Sequence, residues 1–113
     1  MKVYIAGPMR GLVDFNFPAF HDTAAELRAR GHLVFDPAQH DRDGGFDPTG
    51  MSGHEDLTGM GFDLRAALRA DTTWICTEAD AICMLPGWAE SRGATAEYHL
   101  ARSLNLQIWG APA

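Results

Sequence analysis

The chain is poor in the features that announce most specialised proteins. It carries 2 cysteines in 113 residues. Cys76 and Cys83 are too few for a disulfide framework, and they read as reduced, buried thiols of a cytosolic protein. No apolar run approaches the roughly 20 residues that a bilayer span needs. A membrane partner is therefore not expected. The opening Met1-Lys2-Val3-Tyr4-Ile5-Ala6 has one basic residue and a very short apolar run, so it reads as a first strand rather than a signal peptide. Basic side chains are also scarce: 9 Lys and Arg stand against 15 Asp and Glu, for a net charge of −6. That balance argues against a surface for duplex nucleic acid. It leaves room for a small anionic ligand held by a few local donors.

Other signatures are missing too. Gly7-Pro8-Met9-Arg10-Gly11 follows a strand but is neither a dinucleotide fingerprint nor a P-loop, so it predicts no NAD or ATP. His21, His32, His40, His54 and His99 show no metal-ligand spacing and suit solvent-facing or capping roles. Asp41-Arg42-Asp43-Gly44-Gly45-Phe46-Asp47 has the flavour of a calcium loop. Its glycine register is wrong, and the twelfth position is Ser52 rather than Glu. No metal and no organic cofactor are expected.

What is present is the pattern of one small α/β domain. Lys2–Ala6 reads as a first strand. Asn16 is a plausible N-cap with Pro18 in the first turn, and Phe20, Ala24 and Leu27 form the apolar stripe of a helix that Gly31 stops. His32–Phe35 is a short second strand. Residues 38–55 mix glycine, proline and aspartate and read as a long loop, a candidate lid. A helix is expected from near Asp56, with Leu57, Met60, Leu64, Ala67, Leu68 and Ile75 on one face. Ala79–Leu85 reads as a buried strand, Ser91–Leu104 as the last helix, and Leu106–Trp109 as a final strand. This order implies a small three-layer α/β sandwich with a mostly parallel, Rossmann-like sheet. Ligands bind such sheets beyond the carboxyl ends of the strands. Gly7–Gly11, Leu85–Gly93 and the 38–55 loop converge there.

Two residues break the helical pattern. Glu97 sits in the middle of the stripe formed by Ala94, Leu100, Ala101 and Leu104. Asp71 lies three beyond Leu68 and four before Ile75. Aiming a carboxylate at a core costs several kcal/mol unless it is paired or neutralised. Each is either a capped or salt-bridged acid, with Arg10, Arg92 or a histidine as partner, or a working residue. Two of them on helices flanking one strand favour work. A carboxylate pair in a cleft suits glycosidic bond chemistry: one acid attacks the anomeric carbon while the other holds or delivers a proton.

An anion site is expected nearby. Ser91 is a good N-cap, and free amides with the helix dipole attract negative charge. Arg92 opposes the dipole unless a phosphate sits there, and Gly93 permits close approach. Arg10 has the reach to grip phosphate or ribose, or is a surface arginine on a turn. Trp74, Trp88 and Trp109 suit core or wall positions, with Trp88 also suited to stack on a base.

These residues resemble a known family. Tyr4-Ile5-Ala6-Gly7-Pro8-Met9-Arg10-Gly11, Asp71-Thr72-Thr73-Trp74 before Ala79-Asp80-Ala81-Ile82, and Ser91-Arg92-Gly93-Ala94-Thr95-Ala96-Glu97 resemble the nucleoside 2-deoxyribosyltransferase superfamily. Asn16-Phe17-Pro18-Ala19-Phe20 and Leu85-Pro86-Gly87-Trp88 look most like a phage and bacterial branch of it. The likeness covers nearly the whole chain except residues 38–55. It implies that Glu97 is the nucleophile toward C1′ of deoxyribose and that Asp71 positions or protonates the reacting groups. Ser91, six residues before Glu97, matches a phosphate-contacting serine of a hydrolase branch similar to 2′-deoxynucleoside 5′-phosphate N-hydrolase. Arg10 matches an arginine near that phosphate, and Tyr4 an aromatic near the sugar. The expected activity is hydrolysis of deoxynucleoside 5′-monophosphates through a glycosyl-Glu97 intermediate. Transfer of deoxyribose to a second base, or nucleotide sensing without chemistry, are the alternatives. The resemblance also implies a homodimer or larger homo-oligomer.

Overall fold

Val3, Tyr4, Ile5 and Ala6 are all buried, which puts strand β1 (Lys2–Ala6) at the centre of a sheet covered on both faces. The computed structural model describes residues 1–110. Strands β2 (Leu33–Phe35), β3 (Ala81–Met84) and β4 (Gln107–Gly110) complete a four-stranded sheet in the order β2-β1-β3-β4. Every pairing is parallel, with Tyr4 opposite Phe35 on one side and Ile82 on the other.

Alternation along β1 sorts its side chains between two cores. Val3 and Ile5 join Ala81 and the apolar stripe of helix α1 (Phe17–Ala29). Tyr4 and Ala6 join Ile82 and Met84 on the opposite face. There Ile75 of helix α3 (Leu64–Thr77) and Ala94 and Ala101 of helix α4 (Arg92–Ser103) cover them. The result is the expected three-layer α/β sandwich. Because β2 and β3 lie on opposite sides of β1, the strand order reverses between β1 and β3, and a crevice opens at their carboxyl ends.

Residues 38–55 are not one long loop. Helix α2 (Pro37–Asp43) occupies the first part. Asp36 caps it, accepting from the amides of Ala38 and Gln39, and Pro37 supplies a preset first turn. The glycines that suggested a loop begin only at its end. The remainder is pinned to the first loop: Gly11 N donates to Gly53 O at 2.8 Å, Asp14 N to Met51 O at 2.9 Å, and Gly50 N to Asp14 Oδ1 at 2.7 Å. Pro48 is fully buried.

Helix α3 begins later than the periodicity suggests. Turns around Leu57 and a left-handed Gly61 break the pattern, and Asp63 caps the helix through Ala66 N. Met60, Leu64 and Leu68 are exposed, the two leucines along the edge of a cavity, as is Leu104 at the end of α4. Cys76 is exposed rather than buried, and Cys83 is partly buried. Asn16 precedes α1 in a left-handed conformation. Its side chain does not cap the helix but donates to Pro8 O at 2.9 Å. No helix among the described residues is long and apolar enough to cross a membrane.

Candidate active site

Glu97 owes its position to α4. Ser91 Oγ accepts from Ala94 N at 3.2 Å and starts the helix, and Ala94, Glu97 and Ala101 then share its buried face. Glu97 and Asp71 are each only 7% exposed. Tyr4, pointing from β1 toward the same layer, donates its hydroxyl to Glu97 Oε2 at 2.6 Å. A length of 2.6 Å is in the range of hydrogen bonds to an ionised carboxylate, so the contact favours that form of Glu97. Asp71 Oδ1 is buried with no hydrogen-bond partner. An orphaned carboxylate oxygen at the floor of a cleft is an expensive feature to keep in a fold without a ligand to meet it.

These groups line a cavity of about 210 Å³ at the sheet's switch point. A second cavity of about 580 Å³ adjoins it, and the two meet at Asp41, Phe46, Phe62 and Ala67. The smaller cavity alone falls below the roughly 300–1,000 Å³ usual for ligand pockets, whereas the two together fall within it.

The electrostatics of the cleft favour held protons. Burial pushes Glu97 up to about 8; the Tyr4 hydrogen bond opposes the rise, and the charges of Asp71 and Asp41 add to it. Burial pushes Asp71 up to about 7, with Asp41 adding repulsion. Asp41 rises to about 6, again through burial first, with His40 opposing and Asp36 adding to the shift. Tyr4 is raised well above its ordinary value by burial and by both neighbouring acids, so it stays a hydroxyl donor. Burial thus makes Glu97 the acid that holds its proton to the highest pH and Asp41 the one that releases it first, so the cleft on its own keeps a proton on Glu97 near neutrality.

Residues 1–109 match a family described as a domain of unknown function, DUF4406. The chain belongs to the DUF4406 family. No curated protein matches it.

Most of the residues singled out in the sequence meet in this DUF4406 cleft. Tyr4, Gly7, Arg10 and Asp71 line it together with Ser91, Gly93 and Glu97. Gly7 leaves no room for a side chain, because a Cβ there would lie 2.7 Å from Leu85 Cβ. Arg10 reaches the rim, but its guanidinium is engaged: it donates to the backbone oxygens of Glu55 and His54, tying the two loops together. Arg92 is exposed and does not line the cleft. Trp88 does not line it either. It is buried beside α4, its ring stacked on Tyr98 with centroids 4.4 Å apart. The Gly87 turn carries it under the helix rather than toward the ligand side.

Asp41 is the acidic residue of the smaller cavity that sequence reasoning missed, and Phe46 and Phe62 were not singled out either. Read as a loop, residues 38–55 offered no face on which to place Asp41. The available signal was Asp36-Pro37, a cap followed by a first-turn proline. That signal starts a helix and puts Pro37 and Asp41, four apart, on one face of α2. Among the described residues no group of three or more His, Cys, Asp or Glu side chains is placed to hold a metal ion.

Proposed function

We propose that the cleft hydrolyses the bond between base and sugar in 2′-deoxynucleoside 5′-monophosphates. The observation that carries this reading is the Tyr4–Glu97 hydrogen bond beside the unpartnered oxygen of Asp71, in a cleft that also receives the amino end of α4. The likeness of the three motifs to the nucleoside 2-deoxyribosyltransferase superfamily supplies the sugar, the phosphate and the reaction.

In this reading an ionised Glu97 attacks C1′. The bond from C1′ to the base nitrogen breaks, and the base leaves with a proton from a neutral acid of the cleft. Tyr4 favours the ionised form of Glu97 by donating to it. Water directed by Asp71 then adds to C1′ and gives up a proton, and Glu97 is released as the carboxylate. The products are the free base and deoxyribose 5-phosphate. Ser91 and the free amides near Gly93 receive the phosphate, helped by the helix dipole. Arg10 contributes charge at the rim while bridging the loops. A homodimer, with a neighbouring copy completing the site, belongs to the same reading.

The test is a screen of unmodified and base-modified deoxynucleoside monophosphates, read by released base. Wild type releases base from at least one, and Glu97→Ala releases none while still melting cooperatively. Full activity in Glu97→Ala overturns the assignment. Adding a free second base separates hydrolysis from transfer, because a transferase makes a new nucleotide. Nucleotide binding with no base release over hours at high protein concentration identifies a sensor instead.

A further inference from the structure

The acids around α2 and the following turns nearly all have structural work. Asp36 caps α2 and pairs with His21 at 2.8 Å. Asp43 accepts from Gln39, Asp47 from Thr49 and Arg42, and Asp63 caps α3. Asp41 differs. Its carboxylate has no hydrogen-bond partner among the described residues. It is also the one ionisable residue lining both cavities of the cleft.

The arrangement constrains where each part of a nucleotide fits. Ser91, Gly93, Asp71 and Glu97 line only the smaller cavity. A phosphate at the start of α4 and a sugar carbon at Glu97 fill that space. The remaining room is the larger cavity, entered past Asp41. Phe46 and Phe62 stand at the same junction with ring centroids 5.3 Å apart, a wall suited to the face of a flat heterocycle. The unpartnered, deeply buried oxygen of Asp71 independently marks the adjoining floor as built for a ligand.

We propose that Asp41 is the acid that protonates the departing base, which lies against Phe46 and Phe62 in the larger cavity. This rests on the N-glycosidase reading of the cleft and divides its labour. As the bond from Glu97 to C1′ forms, the electron pair of the C1′–N bond moves into the base. For this the proton that the cleft on its own keeps on Glu97 moves to Asp41 when the nucleotide binds, freeing Glu97 as the carboxylate; it then passes from Asp41 to a ring nitrogen or carbonyl oxygen of the base, leaving Asp41 ionised. In the second step the proton of the attacking water goes to ionised Asp71, and solvent restores both acids. The groups facing Asp41 are His40 and Asp36 at its own helix, Asp71 from α3 and Glu97 from α4.

The test compares two leaving groups. One set of substrates is the deoxynucleoside 5′-monophosphates, whose bases need a proton to depart. The other is 4-nitrophenyl 2′-deoxyriboside 5′-phosphate, whose phenolate does not. Asp41→Asn keeps the size and loses the proton. It is expected to slow base release by about 10²–10⁴-fold. The same variant is expected to slow nitrophenolate release by less than about 10-fold, since proton transfer no longer contributes. The alkaline limb of its pH–rate profile for base release should vanish. Equal losses on both substrates, or no loss on the nucleotides, overturn the assignment of Asp41. If Asp41→Asn does not fold, Asp41→Ser is measured in the same way, with cooperative melting as the criterion of folding. Absence of base release by wild type defeats the N-glycosidase reading and this inference together. Glu97-dependent release that ignores Asp41 defeats this inference alone.

Discussion

Tyr4 Oη lies 2.6 Å from Glu97 Oε2 and joins positions 93 residues apart in the chain. The central strand thereby touches the last helix through a buried polar contact, with the carboxylate of Asp71 acting on the same hydroxyl. Its consequence is a preference for the ionised form of Glu97, against the push of burial.

Tyr4→Phe removes that preference. A hydrogen bond to a charged group contributes about 1.5–3 kcal/mol, equivalent to roughly one to two pKa units. Glu97 moves further above its present value, and the acid limb of the pH–rate profile for base release moves to higher pH by about that amount. A profile whose acid limb stays in place means that Tyr4 does not tune Glu97.

Stability should fall as pH rises through neutrality. Glu97 holds its proton up to about 8 in the fold, against an ordinary value of 4.5. Between those values the folded state binds more protons than the unfolded chain, so the stabilisation is complete below the ordinary value and is lost as pH approaches 8. Asp71 adds the same trend over a window ending near 7. Glu97→Gln removes the largest contributor. Its melting temperature should exceed that of wild type at pH 8 by on the order of 5 °C or more, and the gap should shrink toward pH 5. A gap that is constant with pH contradicts the raised value of Glu97.

Ser91→Ala tests the helix terminus in two ways. Loss of the cap costs about 0.5–2 kcal/mol in a denaturant melt. Loss of a contact to phosphate lowers the preference for a 5′-phosphorylated over an unphosphorylated nucleoside by about 10-fold or more. A variant that is less stable yet keeps its phosphate preference places the phosphate elsewhere.

Gly53→Ala should break the loop junction. Gly53 has φ of +97°, and a Cβ there would lie 2.2 Å from Leu12 O. Strain and overpacking together cost about 2–5 kcal/mol. Gly45 has φ of +103° but open space around a Cβ, so Gly45→Ala should cost only about 1 kcal/mol. Equal denaturation midpoints for the two variants would show that the loop is not packed against Leu12.

Much of this fold was legible because it rests on local signals. Gly31 ends α1, Ser91 starts α4, and the apolar strands announce a parallel sheet. Glu97 and Asp71 were legible as misfits because helical spacing predicts which side chains face inward. Helix α2 was obscured by the glycines that follow it, and α3 by a hydrophobic period that continues through turns where Gly61 breaks the helix. Trp88 was assigned by residue type alone. Whether an aromatic side chain lines a cleft or fills a core depends on the turn that aims it, and Gly87 aims Trp88 at Tyr98.

The sequence by itself determined the layer architecture, the two inward carboxylates and the cap at Ser91, because each follows from spacing within a single element. Tertiary structure alone decided which groups meet. The pleat of β1 turns Tyr4 toward α4, strand order opens the crevice between β1 and β3, and α2 folds back to bring Asp41 to the same cleft. Those contacts join residues far apart in the chain, and their proximity depends on how layers pack rather than on any local pattern.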